Sequence, residues 1–167
     1  MPSPIIEGLL FAWKKNAAYA PKLVADLAAE SMVAQPKLNP GAPSNHPAWV
    51  LSHLNVYHPV ICSIISGDDF KDPNDHRFGQ LSKPIADVGE YDSKEQLVES
   101  FLAGHQRVEE LLGNADDAVF SNLVHLPRWK DVMPLASHAL PYLMLNHENG
   151  HLGQLSAWRR IQGMPSV

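Results

Sequence analysis

A single cysteine, Cys62, stands among 167 residues, so no disulfide can form within the chain and a reducing, cytoplasmic setting is expected. Basic excess is lacking too. Thirteen Lys and Arg against eighteen Asp and Glu leave a net charge of −5, and the only clustered basic pair near the C-terminus is Arg159-Arg160. A nucleic-acid partner needs a basic face, so none is expected. No basic residues precede the first apolar stretch, and Lys14-Lys15 follow it, so no secretory signal is expected. No apolar run reads as the roughly 18 residues of a spanning helix, so no membrane partner is expected. Internal repeats and low-complexity tracts are missing. Alternating strand patterns are weak, with only 122–126 able to extend.

What is present describes one folded domain over residues 1–167. Hydrophobic residues make up 45% and charged residues 19%, which excludes a disordered chain. Four segments carry helical periodicity. The first covers about Ile5 to Met32, with Leu9, Leu10, Trp13, Ala17, Leu23, Leu27 and Ala28 near one stripe and a bend expected at Pro21. Gln35 to Ser44 holds three prolines and a glycine and reads as a connector. The second helix should open at Ser44 or Asn45, place Pro47 in its first turn, kink at Pro59 and stop near Gly67.

Residues 68–92 are rich in turn formers and read as a long crossing connection. Ser93 and Gln96 fit a capping box for the third helix, which ends near Gly113-Asn114. A short helical piece follows around Asp116 to Phe120. The last helix should run from about Pro134 to Gln162 with a kink at Pro141. The expected fold is all-α, a four-helix bundle with a long crossover between helices 2 and 3.

Nine histidines are the unusual feature. Protonating all of them would carry the charge from −5 to +4, so its sign should reverse near the imidazole pKa. His147 and His151 are four apart on the last helix and share a face, as two ligands of one divalent ion would. With Glu148 they spell H-E-x-x-H, the string in which a zinc protease uses the glutamate as base. The tail after His151 contains no His, Asp, Glu or Cys to complete such a site, and Gln154 stands where the extended form needs glycine. A third ligand must come from upstream. His46, His53 and His58 all lie on the second helix. His46 and His53 are seven apart and so about 10.5 Å apart along the axis, too far to share an ion. His58 is rotated off the face of His53 and precedes a proline. His46 sits at the helix start, which leaves His53, flanked a turn away by Trp49 and Tyr57. Three imidazoles leave an ion with open positions, the pattern of catalytic sites.

The bland readings stand beside this one. His76, His105, His125 and His138 read as structural, and His138, nine residues before His147, falls on the opposite face. Cys62 reads as core. Gly150 implies close approach of a helix or ligand. Glu148 is a base, a supporting partner of the ligands or simply solvated, and Arg159-Arg160 complement the negative end of the last helix.

The strings His46-Pro-Ala-Trp-Val-Leu-Ser-His53-Leu and His147-Glu-Asn-Gly-His151-Leu-Gly-Gln154-Leu, followed by Arg159-Arg160, resemble those of the DinB-like superfamily of metal-binding four-helix bundles. The resemblance implies a divalent cation on His53, His147 and His151, and frequent homodimers. Characterised members include transferases of low-molecular-weight thiols, so the partner it implies is a small-molecule thiol or electrophile. Trp49, Tyr57 and Gln154 are expected to line or orient the substrate pocket. Nickel and zinc both suit imidazole ligands. The alternative is a non-enzymatic, stress-associated dimer whose metal only clips helices together.

Overall fold

A computed structural model describes residues 3–36 and 44–167 of the chain. Helix α1 spans Pro4–Val24, with the Ser3 hydroxyl accepting from the Ile6 N–H and proline in the first turn. It ends well short of Met32, and Leu27 and Ala28 lie beyond it. Pro21 has no N–H to donate and crowds the preceding turn, so the helix continues only to Val24. A separate 3-10 turn, Ala29–Val33, follows. The connector expected over 35–44 falls largely outside the described residues.

Helix α2 spans Pro47–Ser66 and is capped by His46, not by Ser44 or Asn45: His46 Nδ1 accepts from the Trp49 N–H at 3.2 Å. The helix runs unbroken through Pro59 and closes at Gly67, whose φ of 74° is the left-handed conformation glycine tolerates. Contrary to the sequence reading, α2 is long and apolar enough to cross a membrane by length and composition. However, 72% of its apolar window is buried inside the bundle. Helix α3, Lys94–Gly113, starts with the full capping box of Ser93 and Gln96.

The last helix, α4, covers 136–161 in three segments. Ala136–Pro141 is α-helical, Tyr142–His147 is π-helical, and Glu148–Ile161 returns to α. The kink expected at Pro141 is thus a widened turn that follows the proline, with the Glu148 N–H donating to the Leu143 carbonyl five residues back. Short 3-10 turns occupy Asp117–Ser121 and Pro127–Trp129. The extension expected over 122–126 amounts to one antiparallel bridge, Leu123 to Leu135, and no strand forms among the described residues.

The contacts define the topology. Asn55 meets Leu97 and His58 meets Phe101 and Gly104, so α2 and α3 run parallel. Trp13 meets His105 while Lys94 reaches Ala25 and Leu27, so α1 opposes α3. Asn16 meets Met144 and Leu23 meets Arg159, so α1 and α4 are parallel. The order is therefore up, down, down, up. Two parallel neighbours cannot be joined by a short turn, and this is why 67–93 must travel back along α2.

Two apolar clusters fill the interior. One includes Ile6, Trp13, Ile61, Ile64, Val108, Leu112 and Leu140. The other includes Leu23, Val50, Leu54, Phe101, Leu152 and Trp158. Between them lies a buried polar layer of Asn16, His53, His58, His105 and Glu148. At the second cluster's end Arg159 is buried. Its guanidinium donates to both Asp26 carboxylate oxygens and to the carbonyls of Leu23 and Pro165. It ties α1 to α4, a more specific role than complementing the helix end, whereas Arg160 is exposed.

Candidate metal centre

The return segment runs antiparallel along one face of α2 and is held there by three side chains spaced at helical intervals. His46 Nε2 donates to the Ile85 carbonyl at 3.0 Å, Trp49 Nε1 donates to Ser82 Oγ at 3.0 Å, and His53 Nδ1 donates to the Phe78 carbonyl at 2.7 Å. These bonds position the ring that matters. With Nδ1 committed to a carbonyl, His53 keeps its proton there and presents a bare Nε2 to the bundle interior.

On α4, His151 Nδ1 donates to Gln154 Oε1 at 3.1 Å, and the same oxygen accepts from Asn45 Nδ2 at 2.9 Å. The amide is thereby fixed as an acceptor, and His151 Nε2 is left with its lone pair free. His147 completes the group, its Nε2 3.0 Å from His53 Nε2. One ring nitrogen from each of the three histidines lies within 4.8 Å of the others, a set able to hold a metal ion. The sequence expectation of His53, His147 and His151 thus corresponds to three rings that the fold brings together. Burial holds His53 down to about 4 and His147 down to about 3, with neighbouring rings adding to both, and burial lowers His151 as well. All three are neutral near pH 7, the form a metal requires.

The three residues expected around the pocket divide. Tyr57 lines a cavity of about 580 Å³ together with Arg128, Trp129, Met133, His147 and His151. Trp49 and Gln154 do not line it. Trp49 is buried with its ring stacked on His53 at 4.7 Å, and Gln154 orients His151 from outside. His138 also lines the cavity, although nine residues of regular helix would have placed it opposite His147. The π segment between them alters the rotation. Arg128, which sequence reasoning passed over, is steered at the cavity by its bond to Asp72 at 2.8 Å. Nothing in its local sequence signals this.

Glu148 turns away from the three rings into the core. Its Oε2 lies 3.1 Å from His105 Nε2 and 3.5 Å from His58 Nε2. These three form a second group able to hold an ion, with every member buried. His58 and His105 both read as bystanders in the sequence. The signal for His105 is its place on the α3 core stripe between Phe101 and Val108. Gly150 faces open space, not a close helix or ligand: a Cβ there would meet nothing within 4 Å. With His46, six of the nine histidines, four buried and two half-buried, are held below the ordinary imidazole range, so the charge reversal expected near that range moves to lower pH.

A family model described as the DinB superfamily matches residues 12–155, and the chain belongs to that superfamily. Comparison with curated proteins and with solved structures finds no match.

Proposed function

We propose that the protein binds a divalent ion, nickel or zinc, on His53, His147 and His151, and uses it to activate a small-molecule thiol for transfer to an electrophile. One observation carries the reading. Two tautomer-locked rings turn bare Nε2 atoms toward one point, and His147 Nε2 lies 3.0 Å from that of His53, beside a cavity that His147 and His151 line. Lone pairs 3.0 Å apart repel unless a proton or cation lies between them, and the depressed basicity of all three rings favours the cation.

An ion held by three neutral imidazoles keeps its full positive charge, and that charge lowers the pKa of a bound thiol toward neutrality. The chain's own residues do the rest. The apolar wall of Trp129, Met133 and Leu143 excludes water from the reactants. Tyr57, whose pKa burial raises, stays protonated and offers its hydroxyl to an oxygen of the electrophile. Arg128, held by Asp72, offers positive charge to an anionic group at the cavity. The set fits the resemblance to thiol transferases in the superfamily. A homodimer in the cytoplasm is part of the same proposal.

The test is turnover. Tag-free protein loaded with nickel or zinc is assayed against a panel of thiols and electrophiles. Rates above background that disappear in His53→Ala, together with a loss of about one ion per chain in that variant, support the reading. Equal rates for the two proteins reject the enzyme. If the ion is then lost with a large fall in Tm, the site is a helix clip.

A further inference from the structure

We propose that His58, His105 and Glu148 form a second divalent cation site, enclosed in the core and separate from the three-histidine group. Each ligand comes from a different helix, α2, α3 and α4. Relative exposures of 3%, 3% and 2% place all three out of water's reach. Such groups ordinarily satisfy one another, and here only one pair does, His105 Nε2 and Glu148 Oε2 at 3.1 Å. His58 Nδ1 and Nε2, His105 Nδ1 and Glu148 Oε1 have no hydrogen-bond partner. Buried unpaired polar atoms are costly, and an ion on the two Nε2 atoms and the carboxylate would satisfy two of these four together, His58 Nε2 and Glu148 Oε1.

The His105–Glu148 contact is also that of a hydrogen bond, but the two distances together fit a cation held among all three side chains. Ligand bonds of about 2.0–2.1 Å in a tetrahedron put neighbouring ligand atoms about 3.3 Å apart. Glu148 Oε2 stands 3.1 Å from one imidazole nitrogen and 3.5 Å from the other, on either side of that value. The longer separation is poor for a hydrogen bond. Two imidazoles and a carboxylate are a donor set that zinc and similar ions accept. Glu148 carries a second, unpartnered oxygen for a further bond.

The surroundings are shaped to the cluster. Trp13 stacks on His105 with centroids 3.8 Å apart and fixes that backbone through its Nε1, which donates to the His105 carbonyl at 3.1 Å. Phe101 packs edge-on to His58 at 5.2 Å. A glycine, Gly104, faces His58 where a Cβ would overlap Nδ1 of the ring, so only glycine admits the ring there. At the first group hydrogen bonds orient the rings. Here aromatic packing does so.

The sequence H-E-x-x-H therefore serves two sites, since His147 and His151 face the cavity and Glu148 faces the core. A site walled off from solvent holds its ion structurally and exchanges it slowly.

Metal stoichiometry decides it. The full tag-free chain is refolded from urea with excess cobalt(II), passed through a desalting column and measured by elemental analysis. Two ions per chain are expected, falling to one in His105→Gln and to one in His151→Ala. Added thiol should shift the visible spectrum of His105→Gln and leave that of His151→Ala unchanged. One ion per wild-type chain that survives His105→Gln overturns this site and leaves the three-histidine proposal standing. One ion that survives His151→Ala but not His105→Gln does the reverse. No ion in the wild type overturns both. Should His105→Gln fail to fold, His58→Asn gives the same reading, and a wild-type stoichiometry of one lost in His151→Ala suffices to reject the second site.

Discussion

Two glycines on helices should respond in opposite directions to the same added methyl group. In an exposed helix, Gly→Ala stabilises by roughly 0.4–1 kcal/mol, because the unfolded chain loses freedom and the helix gains propensity. Gly150 meets that condition, since a Cβ added there has nothing within 4 Å. Gly104 is helical too but faces His58. Its Cβ would overlap Nδ1 of that ring and lie 2.6 and 2.8 Å from the histidine Cγ and Cβ. The ring cannot retreat, since Phe101, Trp13 and His105 surround it. Overpacking of this kind costs about 1–3 kcal/mol, which outweighs the propensity gain. Urea unfolding followed by circular dichroism, with chelator present, should place Gly150→Ala above wild type and Gly104→Ala below it. Because both share the propensity gain, the gap should equal the overpacking cost, roughly 1–3 kcal/mol or about 2–12 °C in Tm for a chain of this length. In a His58→Ala background the clash is gone, and Gly104→Ala should become neutral or stabilising. If both substitutions shift stability the same way in the wild type, the close approach of α2 and α3 at Gly104 is wrong.

Chelated protein should lose stability steadily as pH falls below about 6.5. His105 and His147 are held near 3 and His53 near 4, so in that window the unfolded state binds more protons than the native state. The slope approaches about 1.4 kcal/mol per pH unit for each such group. Glu148, whose pKa burial raises, opposes them, but one group cannot reverse the sign. Urea midpoints that stay flat from pH 7 to 5 would contradict the buried neutral imidazoles. Arg159→Ala should lower Tm well beyond Arg160→Ala, because only Arg159 is buried and joined to Asp26, Leu23 and Pro165. Matching Tm values for the two variants would refute the tie.

Local chemistry makes much of this fold legible in the sequence. Ser93 and Gln96 announce the start of α3 because a capping box needs only neighbouring residues. Gly67 marks the end of α2 for a similar reason, its left-handed φ. The His147–His151 pair follows from the pitch of one helix. Choosing His53 over His46 and His58 uses only positions along α2: His46 stands at the helix start, and His58 is rotated off the face and precedes a proline. The features that the sequence hides share a different origin. His46 does not announce itself as a cap because imidazole is an uncommon one, and its role depends also on Ile85, 39 residues away. The break after Val24 and the π turn before Glu148 each follow a proline, and the surrounding packing selects their form.

Periodicity, spacing and composition along the chain determined the helices, the paired histidines and the long turn-rich connection over 68–92. Tertiary structure alone decided that His58, His105 and Glu148 meet, that Phe78 locks the tautomer of His53, and that Trp49 and Gln154 support rings without facing the cavity. The reason is physical. A pattern within one helix is set by 3.6 residues per turn, whereas a contact between helices depends on their direction, rotation and depth, which only the joint packing of all four helices sets.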